Sequence, residues 1–413
     1  MNTRHLIIII VVAVIGVGVF STFSALFPDV NSNSENIVNS APESLPTNSK
    51  DFVFDFYSKV AEQNPESNLF FSPLGISMAF SLVYEGAEGE TARQMQQAFD
   101  FEKDDKKRGE MVAELLERLD GKDLYKLQVA NALWVKDGYK IKQSYLDTAT
   151  TYYNSTVDNV DFVTNDGVNK INGWVKQKTE GKIQDILPPD STDDLTLMVI
   201  TNAVYFKGKW ALQFNQQKTT KELFWIDKDK SVEVMMMKQP ADMFHYAETD
   251  DLQALEMYYV GGDISMLVLL PKDREGINSL EKSLDMQKID SINNMMERQP
   301  LTVHIPKFEF ETEYGLVGLM KNLGILDAFD KNNANFEGIT DEQVYLEQAK
   351  HKAFVSVDEE GTEAAAVTAL VVRLTSGPPT PEHEFIADHP FVFVIQEKDT
   401  GEILFIGRFS NPQ

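Results

Sequence analysis

Residues 264–273, ISMLVLLPKD, form a continuous apolar run closed by a turn. Side chains of a strand alternate between its two faces, so an unbroken apolar strand needs cover on both. A fold that holds it must place a sheet in its interior. Near the end of the chain, residues 389–409 (HPFVFVIQEKDTGEILFIGRF) read as two strands around a KDTGE turn, the Asp/Gly chemistry of a hairpin. Residues 127–138 and 195–210 are strand-like, the second long and apolar. Residues 301–314 alternate as one strand, and so do residues 352–362.

The early chain reads differently. Residues 51–63 carry apolar groups at helical spacing. Residues 68–95 read as a short strand, a Ser-Pro helix start, an apolar helix and a glycine break. Residues 168–187 predict an amphipathic helix ending near Gly181, and 316–325 a further helix. Helices first and strands later, without alternation, predict an α+β fold rather than a doubly wound sheet. No internal repeat is present, and from Lys50 on no linker divides the chain, so 50–413 reads as one domain.

What precedes it is of another kind. An uncharged run opens at Leu6 and closes at Phe27, close to the roughly 20 residues that span a bilayer. Arg4 and His5 lie before it, and the first charges after it, Asp29 and Glu35, are acidic. The positive-inside rule then places the bulk of the chain outside the cytoplasm. Residues 1–27 are expected to be a membrane anchor or, with small residues at Thr22 and Ser24, a cleaved signal. Residues 28–49, rich in Asn, Ser and Pro, read as a flexible polar linker. The sequon Asn154-Ser-Thr fits an exported surface.

Composition excludes several functions. Cysteine is absent, so there is no disulfide framework, thiolate metal site or cysteine nucleophile. A formal charge of −26 argues against nucleic acid, whose binding needs clustered Lys and Arg. Motifs for a nucleophile elbow, a dinucleotide loop or a P-loop are missing, and the six histidines form no metal-binding pattern. No catalytic residue, metal or cofactor is expected, and the chain does not read as an enzyme.

The segment EEGTEAAAVTAL (359–370) stands upstream of an open loop, TSGPPTPEHE. Written as a strand, it puts Thr362, Ala364, Ala366, Thr368, Leu370, Val372 and Leu374 on one face, none charged. Glu363 and Arg373 fall on the other face, with Ala365, Val367, Ala369, Val371 and Thr375. No proline interrupts it, so the stretch could become a central strand. Fully extended, Thr362 to Thr375 spans about 43 Å at about 3.3 Å per residue. The same composition also favours a helix before any such insertion.

Four stretches in order, NLFFSPLGISMAF, TNAVYFKGKW, HKAFVSVDEEGTEAAA and FIADHPFVFVI, together resemble the serpins, a family of serine-protease inhibitors. The resemblance covers roughly 50–413. It implies three β-sheets, about eight or nine helices and an exposed reactive-centre loop. It implies a suicide substrate: the protease attacks the loop, and the cleaved loop enters the main sheet before the acyl-enzyme hydrolyses. By the family's spacing the bait lies fourteen residues after Gly361, at Thr375 with Ser376 following; Leu374 and Arg373 are the alternatives. Thr or Leu would suit chymotrypsin-, elastase- or subtilisin-like proteases, and Arg a trypsin-like one. The hinge corresponds to Glu359, Gly361, Thr362, Glu363, Ala364, Ala365 and Ala366. Ser72, Asn202 and His351 match a polar cluster beneath the sheet, with Gly75 where many relatives have serine, which would leave that network one bond poorer. Trp210 matches an aromatic at the loop's entry, and Lys307 with Glu359 an ion pair there. The expected partners are serine proteases held covalently, with the chain itself a monomer. The alternative is a non-inhibitory serpin-like binding or chaperone protein, against which the small hinge residues speak.

Overall fold

The computed structural model describes residues 50–121, 123–362 and 383–412. They belong to one compact unit, Glu43–Gln413. The run from Leu6 to Phe27, the linker, hinge residues Glu363, Ala364, Ala365 and Ala366, and bait candidates Arg373, Leu374, Thr375 and Ser376 lie outside the described residues. Among those described, no helix is long and apolar enough to cross a membrane.

Helix α1 (Lys50–Gln63) turns Phe52, Val53, Phe56, Tyr57 and Val60 inward, one face of a helix. Strand β1 (Leu69–Phe71) leads through Ser72 into α2 (Pro73–Tyr84). The Ser72 hydroxyl accepts the Gly75 N–H at 2.9 Å, and Pro73 occupies the first turn, where its missing N–H costs nothing. Every residue of α2 from Pro73 to Val83 is buried, so this helix lies in the core. Helices α3 (Gly89–Phe99) and α4 (Asp105–Arg118) follow. Then come β2 (Tyr125–Lys136), α5 (Gln143–Thr151), β3 (Thr156–Val160), α6 (Asn165–Lys178) and β4 (Met198–Lys209). Helix α6 starts three residues before the expected 168 and ends short of Gly181, whose φ of +80° is incompatible with its continuation.

Strands dominate from there. They are β5 (Thr220–Trp225), β6 (Ser231–Glu248), β7 (Leu252–Tyr258) and β8 (Ile264–Pro271). Two short helices, α7 (Ile277–Lys282) and α8 (Met286–Met295), precede β9 (Glu297–Pro306) and β10 (Phe308–Gly315). Helix α9 (Leu316–Asn322) leads towards β11 (Gln348–Val357), β12 (Gly361–Thr362), β13 (His383–Ile386), β14 (Phe391–Glu397) and β15 (Ile403–Phe409). Nine α-helices and two sheets are thus present among the described residues. Strands β8, β14 and β15 are buried at every residue, as unbroken apolar runs require.

One sheet has nine strands, ordered β1-β15-β14-β8-β7-β6-β9-β13, with β5 also on β6. Strand β6 serves two parts of it. Its first half pairs with β5 and its last residues with β7, and a register shift between Gln239 and Asp242 divides its ladder with β9. The other sheet has the order β10-β11-β12-β4-β2-β3. It is covered on one face by the main core with α2, and on the other by Val168, Ile171 and Val175 of α6.

Two strand expectations need correction. Residues 301–314 are two strands in different sheets, because Pro306 has no N–H to continue a ladder and the chain turns at exposed Lys307. Residues 352–362 are likewise broken by a turn at 358–360, and β12 returns alongside β11.

Candidate functional site

A parallel seam runs through the six-stranded sheet. Strands β11 and β4 lie side by side in parallel from Gln348↔Val199 to Phe354↔Tyr205. Their other neighbours, β10 and β2, pair antiparallel. Beyond Phe354 and Tyr205 β12 enters between the two strands. It places Gly361 opposite Lys209 and Thr362 opposite both Gly208 and Val357, antiparallel on each side. The chain therefore already runs down into the seam in the orientation that could pair with both of its walls.

The turn at the head of the seam is tied at each residue. Asp358 Oδ1 accepts the N–H groups of Glu360 at 2.8 Å and Gly361 at 3.2 Å. Trp210 Nε1 donates to the Asp358 carbonyl at 2.9 Å, and the Trp210 N–H to the Glu360 carbonyl at 2.8 Å. The Trp210 ring stacks on Tyr259 with centroids 4.5 Å apart, and Tyr259 Oη lies 2.6 Å from Thr362 Oγ1. Glu359 is buried and accepts from Lys307 Nζ at 2.7 Å and Thr219 Oγ1 at 2.6 Å. Burial pushes its carboxyl pKa up, but these two donors outweigh that and hold it below the usual value. A Cβ on Gly361 would stand 2.0 Å from the Gly208 carbonyl oxygen, so only glycine lets the returning strand come this close.

Halfway down, each strand contributes one polar residue to an otherwise apolar inner face. On β2 it is Asn131 among Leu127, Val129, Leu133 and Val135; on β4 it is Asn202 among Met198, Ile200, Val204 and Phe206. On β11 it is His351 among Ala349, Ala353 and Val355. The register sets all three in one row, with Tyr314 of β10 stacked beside His351. The Ser72 N–H donates to His351 Nε2 at 3.2 Å, so that nitrogen carries the lone pair. The proton is then on Nδ1, which donates to Asn202 Oδ1 at 2.5 Å. Asn202 Nδ2 donates in turn to Asn131 Oδ1 at 2.5 Å. Complete burial, with no carboxylate to compensate, lowers the His351 pKa from 6.5 to about 3, so the ring is neutral.

The structure thus brings Ser72, Asn202 and His351 into one hydrogen-bonded chain, and groups Trp210, Lys307, Glu359, Gly361 and Thr362 at the head of the seam. Gly75 keeps its bond through its backbone. A side chain there would press on Asn202, since a Cβ would come within 3.0 Å of both amide atoms and 2.6 Å of Val204 Cγ2. Asn131 was missed in the sequence, although a lone amide on the apolar face of residues 127–135 is a readable signal. Its Nδ2 is buried without a partner among the described residues. Tyr259 and Thr219 carry no signal of their own; the fold alone brings them to the turn.

Among the described residues no cluster of three His, Asp or Glu could bind a metal ion. What this arrangement can do is mechanical. It latches a seam whose opening would admit the chain that already enters it. Comparison with known proteins identifies the family. The family described as Serpin (serine protease inhibitor) matches residues 47–412. Human serpin B10 is 37% identical over 399 residues, covering 90% of this chain and 100% of its own length. Human serpin B3 is 36% identical, with 87% and 97% covered. Uncleaved ovalbumin superposes with a TM-score of 0.82 at 29% identity, over 89% of this chain and all of its own. Human thyroxine-binding globulin complexed with thyroxine gives 0.80 at 29% identity, over 90% of this chain and 98% of its own. The chain belongs to the serpin family, whose members are generally inhibitors of serine proteases rather than enzymes.

Proposed function

We propose that the chain is a suicide-substrate inhibitor of chymotrypsin-, elastase- or subtilisin-like serine proteases, and that it traps the acyl-enzyme by inserting its cleaved loop into the seam between β4 and β11. The observation that carries this is the position of β12, already paired with both walls. Its register can be continued downward. Pairing with β4 falls one residue for one from Thr362↔Gly208, which would bring Thr368 opposite Asn202. Pairing with β11 from Thr362↔Val357 would bring the same Thr368 opposite His351. The hydroxyl would thus arrive between the two groups whose hydrogen bond must break as the seam opens, and could replace it. The uncharged face found in the sequence, from Thr362 through Ala364 to Leu374, is the one that would turn to the core.

The same register places Val372 opposite Met198, the first residue of β4. A bait at Thr375 leaves three residues between the filled seam and the ester. Cleavage after Leu374 or Arg373 still fills the seam, so strand length does not exclude them. The protease attacks the bait bond and forms its acyl-enzyme. The freed strand then exchanges a parallel pairing for two antiparallel ladders, the more stable kind per residue, and buries its apolar face. The ester is carried away from the head of the sheet before water cleaves it.

The second reading, a non-inhibitory binding protein, is favoured by the similarity to a thyroxine-binding globulin. The hinge residues Thr362, Ala364, Ala365 and Ala366, small for easy entry, with Glu363 on the opposite face from the uncharged one, support inhibition instead. Incubation of the purified protein with subtilisin, chymotrypsin, elastase and trypsin separates the two. Inhibition gives a complex that survives denaturing electrophoresis and a released peptide beginning at Ser376. Clean cleavage with every protease left active supports the binding reading. The inhibitor acts as a monomer outside the cytoplasm, exported or tethered by the run from Leu6 to Phe27. Protease treatment of intact producing cells tests this, since an internal protein survives it.

A further inference from the structure

The sequon at Asn154 plays no part in the trapping mechanism, yet the fold presents it in a particular way. Asn154 lies in the short connection between α5 and β3, exposed, with φ of +47°. Asparagine is among the few residues with a side chain that adopt this left-handed conformation readily. Its backbone neighbours are fixed: the Ser155 N–H donates to the Ala149 carbonyl at 3.2 Å, and Ser155 Oγ to the Tyr153 carbonyl at 3.1 Å. The turn holds the Asn154 side chain outward on a rigid base.

What lies beside it is an open sheet edge. Strand β3 pairs with β2 only from Thr156↔Ala132 to Val160↔Lys136. From Tyr125 to Asn131, β2 has β4 on one side and, among the described residues, no strand on the other. Unpaired strand edges are templates for association with another chain, and proteins cover or charge them. Asn154 stands two residues before β3 begins, at the point where that cover ends. On the other side, β2 and β4 separate it from the seam, so a bulky group there does not obstruct loop entry.

We propose that Asn154 is an N-glycan acceptor whose glycan covers the open edge of β2. This rests on the export reading given above, since the donor is a lipid-pyrophosphate-linked oligosaccharide presented outside the cytoplasm. The Asn154 amide nitrogen attacks the anomeric carbon of the sugar. The bond from that carbon to the pyrophosphate oxygen breaks, the lipid pyrophosphate leaves with the electron pair, and the amide nitrogen gives up one proton. The sequon's hydroxyl, on Thr156, accepts a hydrogen bond from Trp174 Nε1 at 3.1 Å in the folded protein, and Thr156 is already paired with Ala132. An acceptor segment locked into a strand cannot extend into a transferase, so the transfer precedes folding. The finished fold then carries the glycan without strain.

The full-length chain, with its own N-terminus, is to be expressed in a secretory host that N-glycosylates, alongside Asn154→Asp and Thr156→Ser. Asn154→Asp tolerates the same backbone and removes the acceptor; Thr156→Ser keeps both the sequon and a hydroxyl for Trp174. Amidase release in isotopically heavy water marks a formerly glycosylated asparagine as labelled aspartate. The label is expected at residue 154 in the parent and in Thr156→Ser, and in none of the Asn154→Asp protein. The glycosylated form is expected to oligomerise several-fold more slowly on mild heating than the same protein after release. A chain found outside the cell with Asn154 unmodified overturns the proposal alone. A chain kept in the cytoplasm overturns the export reading with it. Equal oligomerisation before and after release overturns the shielding role.

Discussion

At the scale of single residues, His351 is the group whose chemistry the fold alters most usefully. Its folded pKa of about 3 lies below the ordinary 6.5, so the native state excludes a proton that the unfolded chain binds. Stability from this site is complete above about pH 6.5 and is lost as pH falls towards about 3, at up to about 1.4 kcal/mol per pH unit. Glu359 has the same sign, because its pKa is lowered in the fold. Its contribution is present above its ordinary value of 4.5 and disappears as pH falls through the folded one. Acid therefore weakens first the middle of the seam and then its head. Thermal unfolding followed between about pH 7 and 5 should show a falling midpoint in the parent, and a distinctly flatter profile in His351→Asn. Equal slopes in both would mean that His351 is not held neutral. The sequence made Ser72, Asn202 and His351 visible only through a family pattern. Asn131 was readable without one, as the single amide on an apolar strand face. The bonds of Thr219 to Glu359 and of Tyr259 to Thr362 span 140 and 103 residues, distances over which no local pattern operates.

At the scale of elements, the order of strands was less legible than their existence. The apolar runs that became β4, β8, β14 and β15 declare themselves by composition. That β9 and β10 belong to different sheets does not, because their alternation continues across Pro306 and only the missing N–H marks the break. The turn at 358–360 was hidden for a related reason: Asp358 stands where a strand residue would, and its turn shows only in the bonds it accepts. The element that matters most is the one entering the seam. If Thr368 comes to rest between Asn202 and His351, a long charged side chain at that position would put an unpaired charge into a buried row. Thr368→Arg is expected to be cleaved at the parent rate, yet to form at least about tenfold less trapped complex, a difference of about 1.4 kcal/mol between competing steps. Thr368→Ser should behave as the parent. Quantitation of complex against cleaved product on denaturing gels checks both, and full trapping by Thr368→Arg would displace the register.

At the scale of the whole molecule, the proposed trapping requires the intact chain to be a fold held short of its best pairing. The parallel seam between β11 and β4 remains in a sheet that one further strand would make antiparallel throughout that region. Under the proposed function such a state would persist because leaving it requires breaking the hydrogen bonds across the seam, and its stability would be kinetic. Cleavage in the loop should raise the unfolding temperature on the order of 10 °C or more, given how many backbone bonds and apolar groups a new central strand adds. Differential scanning calorimetry of intact and cleaved protein reads this directly; an unchanged midpoint would mean that the cleaved loop stays outside. The α+β class and the helical early half were legible from periodicity alone. Metastability entered only as what the family resemblance implies, since no composition distinguishes a final fold from an intermediate one.

If the cleaved loop traps a protease by entering the sheet, the seam between β4 and β11 must open. The chain has no cysteine, so a pair introduced at Thr201 and Lys350, which face each other across the seam, would be the only thiols present. Neighbouring strands lie about 4.8 Å apart, within the roughly 4.4–6.8 Å Cα separation that a disulfide bridges. The double variant is to be mixed with its most susceptible protease, oxidised and then reduced. The oxidised protein is expected to be cut as a plain substrate and to release active enzyme, and reduction to restore the denaturation-resistant complex. Equal complex formation by the locked and the reduced protein would contradict it.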